Sequence, residues 1–230
     1  MSEQSDQRQP VWETIYSAGQ QLNRYPFDAV VSFIYKNYAR HKPRAETRIL
    51  EIGSGAGNNL WFAAREGFST TGIDGSASAV AFAQQRFAQE DLPGEFQVGD
   101  FTRLPFPDAQ FDFVIDRAAL TCSGRQATRQ TVAEVRRVLL PGGKFFFNPY
   151  SDRHSSYTSG QPGPDGVTSE ITGGTLVGIG SIFFYGKRDL MELFAEGWQL
   201  RSIRHIETRE ELEPLVSVHA EWIVIAEKSA

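Results

Sequence analysis

The sequence has 230 residues, 40% of them hydrophobic and 12% aromatic, which is enough to bury one α/β core, and its formal net charge of −5 disfavours a surface that follows nucleic-acid phosphates. A single cysteine, Cys122, excludes an internal disulfide framework and a cysteine cage for a metal ion. Because the polar first ten residues lack a secretion signal and no stretch reaches the roughly 20 apolar residues that span a bilayer, we expect a cytoplasmic protein that does not insert into a membrane.

The first predicted element is an amphipathic helix that begins near Phe27. Apolar residues at helical spacing share one face of it, namely Phe27, Val30, Val31, Ile34 and Tyr38. That face needs a surface to pack against, so residues 1–45 are expected to form an N-terminal helical cap or lid.

From residue 47 the pattern alternates between strands and helices. Strands are predicted at RILEI, TTGID, EFQV, FDFVID and KFFFN, and helices over residues 61–65, 76–89 and 125–139. The turn Pro141-Gly142-Gly143 is expected to end the last of these helices. Alternation of this kind implies a mostly parallel sheet with helices on both faces.

Residues 151–180 interrupt this alternation. They contain seven glycines, two prolines and many hydroxyl residues, which is typical of a flexible insertion over a site. Residues 181–230 then end in two strands, WQLRSIRHI and VHAEWIVIAE, whose short acidic connection predicts an antiparallel hairpin. The expected fold is therefore a single α/β domain over residues 1–230, Rossmann-like, with seven strands and an antiparallel last strand.

A glycine-rich loop, GSGAGN, stands between the first predicted strand and the helix that follows it. Gly53, Gly55 and Gly57 allow backbone torsions that other residues resist, and they leave room for a ligand against the main chain. By itself the loop is a weak signal, because a tight strand-to-helix turn also uses glycines.

Two acidic residues strengthen the interpretation of this loop as a nucleoside site. Asp74 ends the second strand about 20 residues after the loop, where such folds place a carboxylate on ribose hydroxyls. Asp100 follows the third strand, so both acids fall at the carboxyl edge of the sheet. Either acid alone could instead be a turn residue or a helix cap.

In that order, the segments EIGSGAGN, TTGID, VGDFTRLPF, FDFVID and LLPGGKFFF resemble the class I S-adenosylmethionine-dependent methyltransferases over residues 46–150. The resemblance implies S-adenosylmethionine as cofactor and S-adenosylhomocysteine as product. Dinucleotide dehydrogenases are the nearest competing class, but their fingerprint has Gly where this chain has Asn58.

The resemblance also implies residue roles. Asp74 would bind the ribose hydroxyls, Asp100 the adenine amino group with Phe101 beside the ring, and Glu51 would lie near the ammonium of the ligand. Asp116 and Arg117, at the end of the fourth strand, would approach the methionine part of the cofactor and the entrance for the acceptor; the alternative for Arg117 is a solvated side chain without a site role. The full set of expected cofactor-binding residues is Tyr25, Glu51, Gly53, Ser54, Gly55, Gly57, Asn58, Asp74, Gly75, Ser76, Asp100, Phe101, Asp116 and Arg117.

His154 is the candidate catalytic residue. A general base is needed only if the acceptor is protonated at neutral pH, and His154 follows the fifth strand at the ligand-binding edge. The alternative is an exposed histidine in a flexible loop. No cluster of His, Asp and Glu has the spacing of metal ligands, so no metal is expected.

The sequence thus predicts methyl transfer to an oxygen or nitrogen of a small-molecule acceptor, enclosed by residues 1–45 and 151–180. A nucleic-acid methyltransferase and a non-catalytic nucleoside-binding sensor or partner subunit remain alternatives; no nucleic-acid partner is expected. The N-terminal Trp12 and Tyr16, with Arg24 and Tyr25, either close over the cofactor or only hold the first helix to the domain. The sequence does not predict the oligomeric state.

Overall fold

A seven-stranded sheet organises the computed structural model, which describes residues 11–213 and 216–229. The first ten residues of the predicted cap lie outside the described part of the chain. The sheet contains the strands β1 (Arg48–Ile52), β2 (Ser69–Asp74), β3 (Glu95–Val98), β4 (Phe111–Arg117), β5 (Leu139–Asn148), β8 (Trp198–Glu210) and β9 (Ser217–Lys228). Two short strands, β6 (Gln161–Pro162) and β7 (Thr168–Ser169), pair separately.

The strand order is β3-β2-β1-β4-β5-β9-β8. Neighbours from β3 to β5 are parallel, whereas β9 runs antiparallel to both β5 and β8. The predicted Rossmann-like sheet with an antiparallel last strand is therefore confirmed. The antiparallel pairing predicted for the last two strands is also present.

Helices cover both faces of the sheet. The helices are α1 (residues 11–17), α2 (Asp28–Asn37), α3 (Asn58–Arg65), α4 (Ala77–Gln89), α5 (Arg125–Val138) and α6 (Lys187–Leu193). Alternation along β1 separates the two cores: Ile49 packs with α2, α3 and α4, while Leu50 packs with α5 and α6. Among the described residues, no helix has the length and apolar character needed to cross a membrane.

The start of β5 differs from the prediction. Leu139, expected at the end of a helix, has extended torsions and pairs with Phe111 of β4. The Pro141-Gly142-Gly143 turn lies inside the strand, where the register between β4 and β5 shifts. Gly142 has a φ of +74° there, so the turn produces an irregularity in the strand instead of ending the helix.

Residues 151–180 pack onto the sheet through β9. The Ser151 amide donates to the Ala220 carbonyl, and the Ser155 amide to the Val218 carbonyl. Ile171 and Leu176 form a small core with the following Ile182 and Phe184. The segment thereby reaches the carboxyl edge of the sheet; its flexibility stays a prediction.

Candidate functional site

A cavity of about 420 Å³ opens at the carboxyl ends of strands β1 to β5. Its volume falls within the roughly 300–1,000 Å³ that is usual for small-molecule sites. Open α/β sheets bind ligands at this edge, because the loops after the parallel strands meet there. Eleven of the predicted residues line the cavity, namely Glu51, Gly53, Ser54, Gly55, Asn58, Asp74, Gly75, Ser76, Asp100, Phe101 and Arg117.

The glycine loop after β1 forms the floor of the cavity. Gly53 has a φ of +62°, and a Cβ there would lie 2.2 Å from the Ala119 Cβ. Gly55 has a φ of +49°, and a Cβ there would lie 2.5 Å from the Tyr16 hydroxyl oxygen. Left-handed torsions and these close approaches both require glycine, so the loop holds bare main chain against the cavity.

Asp74 is fixed between the glycine loop and the start of α4. Its Oδ2 accepts a hydrogen bond of 2.8 Å from the Gly55 amide, and its Oδ1 accepts one of 2.8 Å from the Ser76 amide. Burial raises the pKa of this carboxyl, and the two amides oppose that rise. A carboxylate held in this way still has lone pairs that can accept from the hydroxyls of a sugar.

Asp100 lies at the exposed rim of the cavity beside Phe101. Its Oδ1 accepts a hydrogen bond of 2.8 Å from the Thr102 amide. This hydrogen bond is typical of a turn residue, which was the alternative interpretation of Asp100. Because Asp100 is also exposed at the rim of the cavity, its carboxylate is accessible to a ligand.

Glu51 supplies a buried carboxyl group to the wall of the cavity. Its Oε1 accepts a hydrogen bond of 2.7 Å from the Asn59 side chain, and its Oε2 has no hydrogen-bond partner among the described residues. Burial raises the pKa of this carboxyl to about 8. An unpartnered carboxyl oxygen at a cavity wall fits a ligand that brings an ammonium group.

Part of the cavity wall consists of apolar side chains near one cation. Arg117 Nη2 lies 3.4 Å from Glu221 Oε2, and the guanidinium carbon lies 4.2 Å from the centre of the Phe27 ring. Tyr150, Cys122, Ile179 and Ile182 complete this part of the wall. The cavity wall therefore combines carboxylates and main chain with apolar side chains around a guanidinium. Arg117 is close enough to Glu51 for its charge to favour the ionised form of that carboxyl and so oppose the rise in its pKa.

Four of the predicted site residues do not line the cavity. Two of these four, Asp116 and Gly57, lie behind the lining residues. Asp116 is completely buried and accepts hydrogen bonds from the amides of Ala119 and Leu120, so it shapes the turn after β4. Gly57, with a φ of +72°, caps α3 against Ala83. Both residues lie behind the lining residues, and their predicted role in cofactor binding stays a prediction.

Tyr25 and His154 are the other two. Tyr25 is 78% exposed, and only its carbonyl reaches the site region, accepting from the Asn58 side chain. His154 is 1% exposed, and its Nε2 lies 3.3 Å from His219 Nδ1. Burial and the neighbouring His219 lower the pKa of His154 to about 4. The structure therefore differs from both expectations for His154, which is neither at the cavity nor exposed.

Helix α1 forms a wall that the sequence left undecided. Trp12 and Tyr16, one helical turn apart, both line the cavity. Glu13 faces the other way, where its Oε2 accepts a hydrogen bond of 2.6 Å from Ser76 Oγ and one of 3.2 Å from the Ser78 amide. In the sequence, the i, i+4 spacing of Trp12 and Tyr16 was the signal that both side chains share one face of a helix.

Other lining residues were missed. They are Gln21, Asn23, Phe27, Ala56, Asn59, Gly99, Ala118, Ala119, Cys122, Tyr150, Ile179 and Ile182. The position of Tyr150 directly after the β5 strand was a usable signal, because strand ends of a parallel sheet meet at one edge. Within residues 11–213 and 216–229, no group of three or more His, Cys, Asp or Glu side chains is arranged to hold a metal ion.

Comparison with known proteins finds a matching family model and similar sequences. Residues 49–143 match the model of a family described as a methyltransferase domain. A fatty-acid O-methyltransferase of Mycolicibacterium smegmatis is 32% identical over 140 residues, which are 60% of this chain and 48% of that protein. A phthiotriol/phenolphthiotriol dimycocerosates methyltransferase of Mycobacterium tuberculosis is 34% identical over 122 residues, or 52% of this chain and 42% of that protein. The chain spans about half the length of the curated relatives it matches.

The fold has relatives among solved structures. A structure described as a SAM-dependent methyltransferase from Methanosarcina mazei superposes with a TM-score of 0.68 at 24% identity. The superposition covers 85% of this chain and 97% of that one. The superposed part of the chain is therefore longer than the segment that the family model matches.

Proposed function

We propose that this chain, which belongs to the class I S-adenosylmethionine-dependent methyltransferases, transfers a methyl group from that cofactor to an oxygen or nitrogen of a small molecule. The observation that carries the proposal is the joining of the glycine loop, Asp74 and the unpartnered Glu51 oxygen in one cavity. Each of these groups fits a different part of the cofactor.

The donor end of the cavity would bind the cofactor. Asp74, held by the Gly55 and Ser76 amides, would accept from the ribose hydroxyls. Asp100 and Phe101 would meet the adenine at the rim, and Glu51 would meet the ammonium. When bound, the cofactor supplies a methyl group on a positively charged sulfur, which makes the methyl carbon electrophilic.

The apolar end of the cavity would hold the acceptor. Residues from the loop after β4 and from the segment after β5 enclose this end, so they can exclude water and orient the nucleophile. A small acceptor is favoured by the cavity volume of about 420 Å³ and by the net charge of −5. The fatty-acid O-methyltransferase among the relatives supports the same choice.

Calorimetric titration with S-adenosylhomocysteine tests the donor end. In Asp74→Asn, one acceptor oxygen becomes an amide, and since a hydrogen bond to a charged group contributes roughly 1.5–3 kcal/mol, the affinity should fall at least about tenfold. Asp91→Asn, at an exposed position away from the cavity, is the matched control and should bind normally. Folded wild-type protein that binds neither S-adenosylmethionine nor S-adenosylhomocysteine would contradict the proposal.

Incubation with methyl-labelled S-adenosylmethionine and a metabolite extract tests the transfer itself. We expect label to appear in a small molecule. Binding of the cofactor without any transfer would instead favour the non-catalytic sensor. Transfer to RNA or DNA would favour the nucleic-acid alternative.

A further inference from the structure

We propose that the acceptor is an apolar carboxylic acid, that Arg117 binds its carboxylate, and that the product is a methyl ester. This inference rests on the proposed methyl transfer and specifies its acceptor. Three observations support it, namely a desolvated cation, an apolar surround, and the absence of a suitable base among the described residues of the cavity wall.

Arg117 is a positive charge placed where an acceptor must lie. The other charged side chains in the cavity wall, among the described residues, are the acids Glu51, Asp74 and Asp100. The Arg117 side chain is 15% exposed, so its charge is largely removed from water and gains strongly from a bound anion.

Glu221 positions the guanidinium without satisfying it. The 3.4 Å between Arg117 Nη2 and Glu221 Oε2 is longer than the roughly 2.7–2.9 Å of a charge-assisted hydrogen bond. A guanidinium has five N–H donors, and a planar carboxylate can take two of them at once. Glu221 contacts Arg117 from β9, and the Tyr150 hydroxyl is a second side-chain partner of the guanidinium. These two contacts leave donors of Arg117, which lines the cavity, for a bound carboxylate.

The groups around Arg117 suit an apolar acceptor body. The Phe27 ring lies against the guanidinium, and Ile179 and Ile182 line the cavity from the segment after β5. Ile182 is itself part of the small core that anchors this segment. An alkyl or aryl group packed there would be shielded from water while its charged end reaches Arg117.

The described residues of the cavity wall do not include a suitable base for an acceptor hydroxyl. None of the described lining residues is a histidine, and burial raises the pKa of both Tyr16 and Tyr150, so these hydroxyls stay protonated. The carboxyl groups of Glu51, Asp74 and Asp100 are assigned to the cofactor in the proposed function. A carboxylic acid needs no base, since it is ionised at neutral pH.

The chemical step balances without a proton transfer. One carboxylate oxygen forms a bond to the methyl carbon while the carbon–sulfur bond breaks, and its electron pair stays on the sulfur. The products are a methyl ester and a neutral thioether. Arg117 would hold the acceptor carboxylate during approach, so that the oxygen attacks in line with the breaking bond.

A matched series of acceptors tests this inference. We would offer the wild type decanoate and 3-phenylpropionate, each with the corresponding alcohol and amine, together with methyl-labelled cofactor. At least one acid should be methylated in preference to its alcohol and amine. In Arg117→Met, kcat/KM for that acid should fall about 100-fold, because a buried ionic contact is lost, and Arg117→Lys should recover part of it.

A binding measurement separates acceptor binding from catalysis. Calorimetry of the preferred acid with protein saturated by S-adenosylhomocysteine should show at least tenfold weaker binding for Arg117→Met, with unchanged S-adenosylhomocysteine affinity. Arg188→Met, whose arginine side chain is 89% exposed on α6, is the matched control and should behave as wild type.

The outcomes distinguish this inference from the proposed function. Methylation of an alcohol or amine in preference to both acids, no methylation of either acid, or equal acid binding by Arg117→Met would overturn the carboxylate assignment while leaving methyl transfer in place. Loss of S-adenosylhomocysteine binding by the wild type would overturn the proposed function itself.

Discussion

Glu51 is a carboxyl group whose burial costs stability in the absence of a ligand. Its pKa rises from an ordinary value of 4.5 to about 8 in the folded chain, mainly because burial disfavours the charged form. Between these two values the unfolded chain releases a proton that the folded chain keeps. The free energy of unfolding therefore falls as the pH rises through this window, and it levels off above the folded pKa.

Glu51→Gln removes this loss, because an amide of the same shape stays neutral and can keep the hydrogen bond from Asn59. At pH 8 we expect the variant to be more stable than wild type by about 2–4 kcal/mol, and at pH 4.5 to be nearly equal to it. Urea unfolding at both pH values checks this. Equal stability at pH 8 would show that Glu51 ionises as easily in the folded chain as in the unfolded one.

The same variant should bind S-adenosylhomocysteine more weakly, since it lacks the charge for the ammonium. A gain in stability together with a loss of binding is the usual exchange at a functional site.

Residues next to strand ends could be predicted from the sequence, and residues brought in by distant packing could not. Glu51 and Asp74 lie at fixed positions relative to β1 and β2, so the strand pattern located them. His154 is buried through contact with His219, which lies 65 positions later in the chain. No local periodicity encodes that contact. The finding that His154 does not line the cavity therefore required the three-dimensional structure.

Helix α1 is the element whose role the sequence left open. The Glu13 carboxylate binds the first turn of α4, and the hydrogen bonds from Ser76 and Ser78 lower its pKa, so it is charged at neutral pH. A negative charge is favoured at a helix N-terminus. Glu13 thereby holds α1 in place, with Tyr16 over Gly55.

Loss of the contact between Glu13 and the start of α4 should weaken cofactor binding. Without this contact, part of the binding free energy is used to order α1. For Glu13→Ala we expect an affinity for S-adenosylhomocysteine about 3–10-fold lower, with a faster dissociation rate measured by stopped flow. Glu46→Ala, at an exposed position beside β1, serves as the control. If Glu13→Ala bound normally, α1 would only hold the domain together.

Element order was easier to predict than element boundaries. The alternation of strands and helices indicated the parallel core, since a parallel connection needs a crossover helix. The predicted start of β5 was wrong. Leu139 directly follows the last residue of α5, but it pairs with Phe111 of β4. Tertiary pairing decides such a position, and local propensity does not.

At the scale of the whole molecule, the two cores on opposite faces of the sheet leave one edge for the cavity. Ile49 and Leu50 show this division within two residues of β1. The loops at the carboxyl edge are therefore held by a rigid sheet, while the walls contributed by α1 and residues 151–180 come from outside the matched residues 49–143. Most residues proposed to bind the cofactor lie within residues 49–143. Among the residues proposed to hold the acceptor, Arg117 and Cys122 lie within this segment, whereas Phe27, Tyr150, Ile179 and Ile182 lie outside it.

This division predicts how ligand binding is linked to the stability of the whole chain. A ligand at 100 times its Kd stabilises the folded state by about 2.7 kcal/mol, which for a chain of this size raises Tm by roughly 5–10 °C. At one fixed concentration of S-adenosylhomocysteine, scanning calorimetry should show this rise for wild type and Arg117→Met, and a much smaller rise for Asp74→Asn. A loss of the rise in Arg117→Met would mean that the guanidinium contacts the cofactor, and that the two ends of the cavity are not separate.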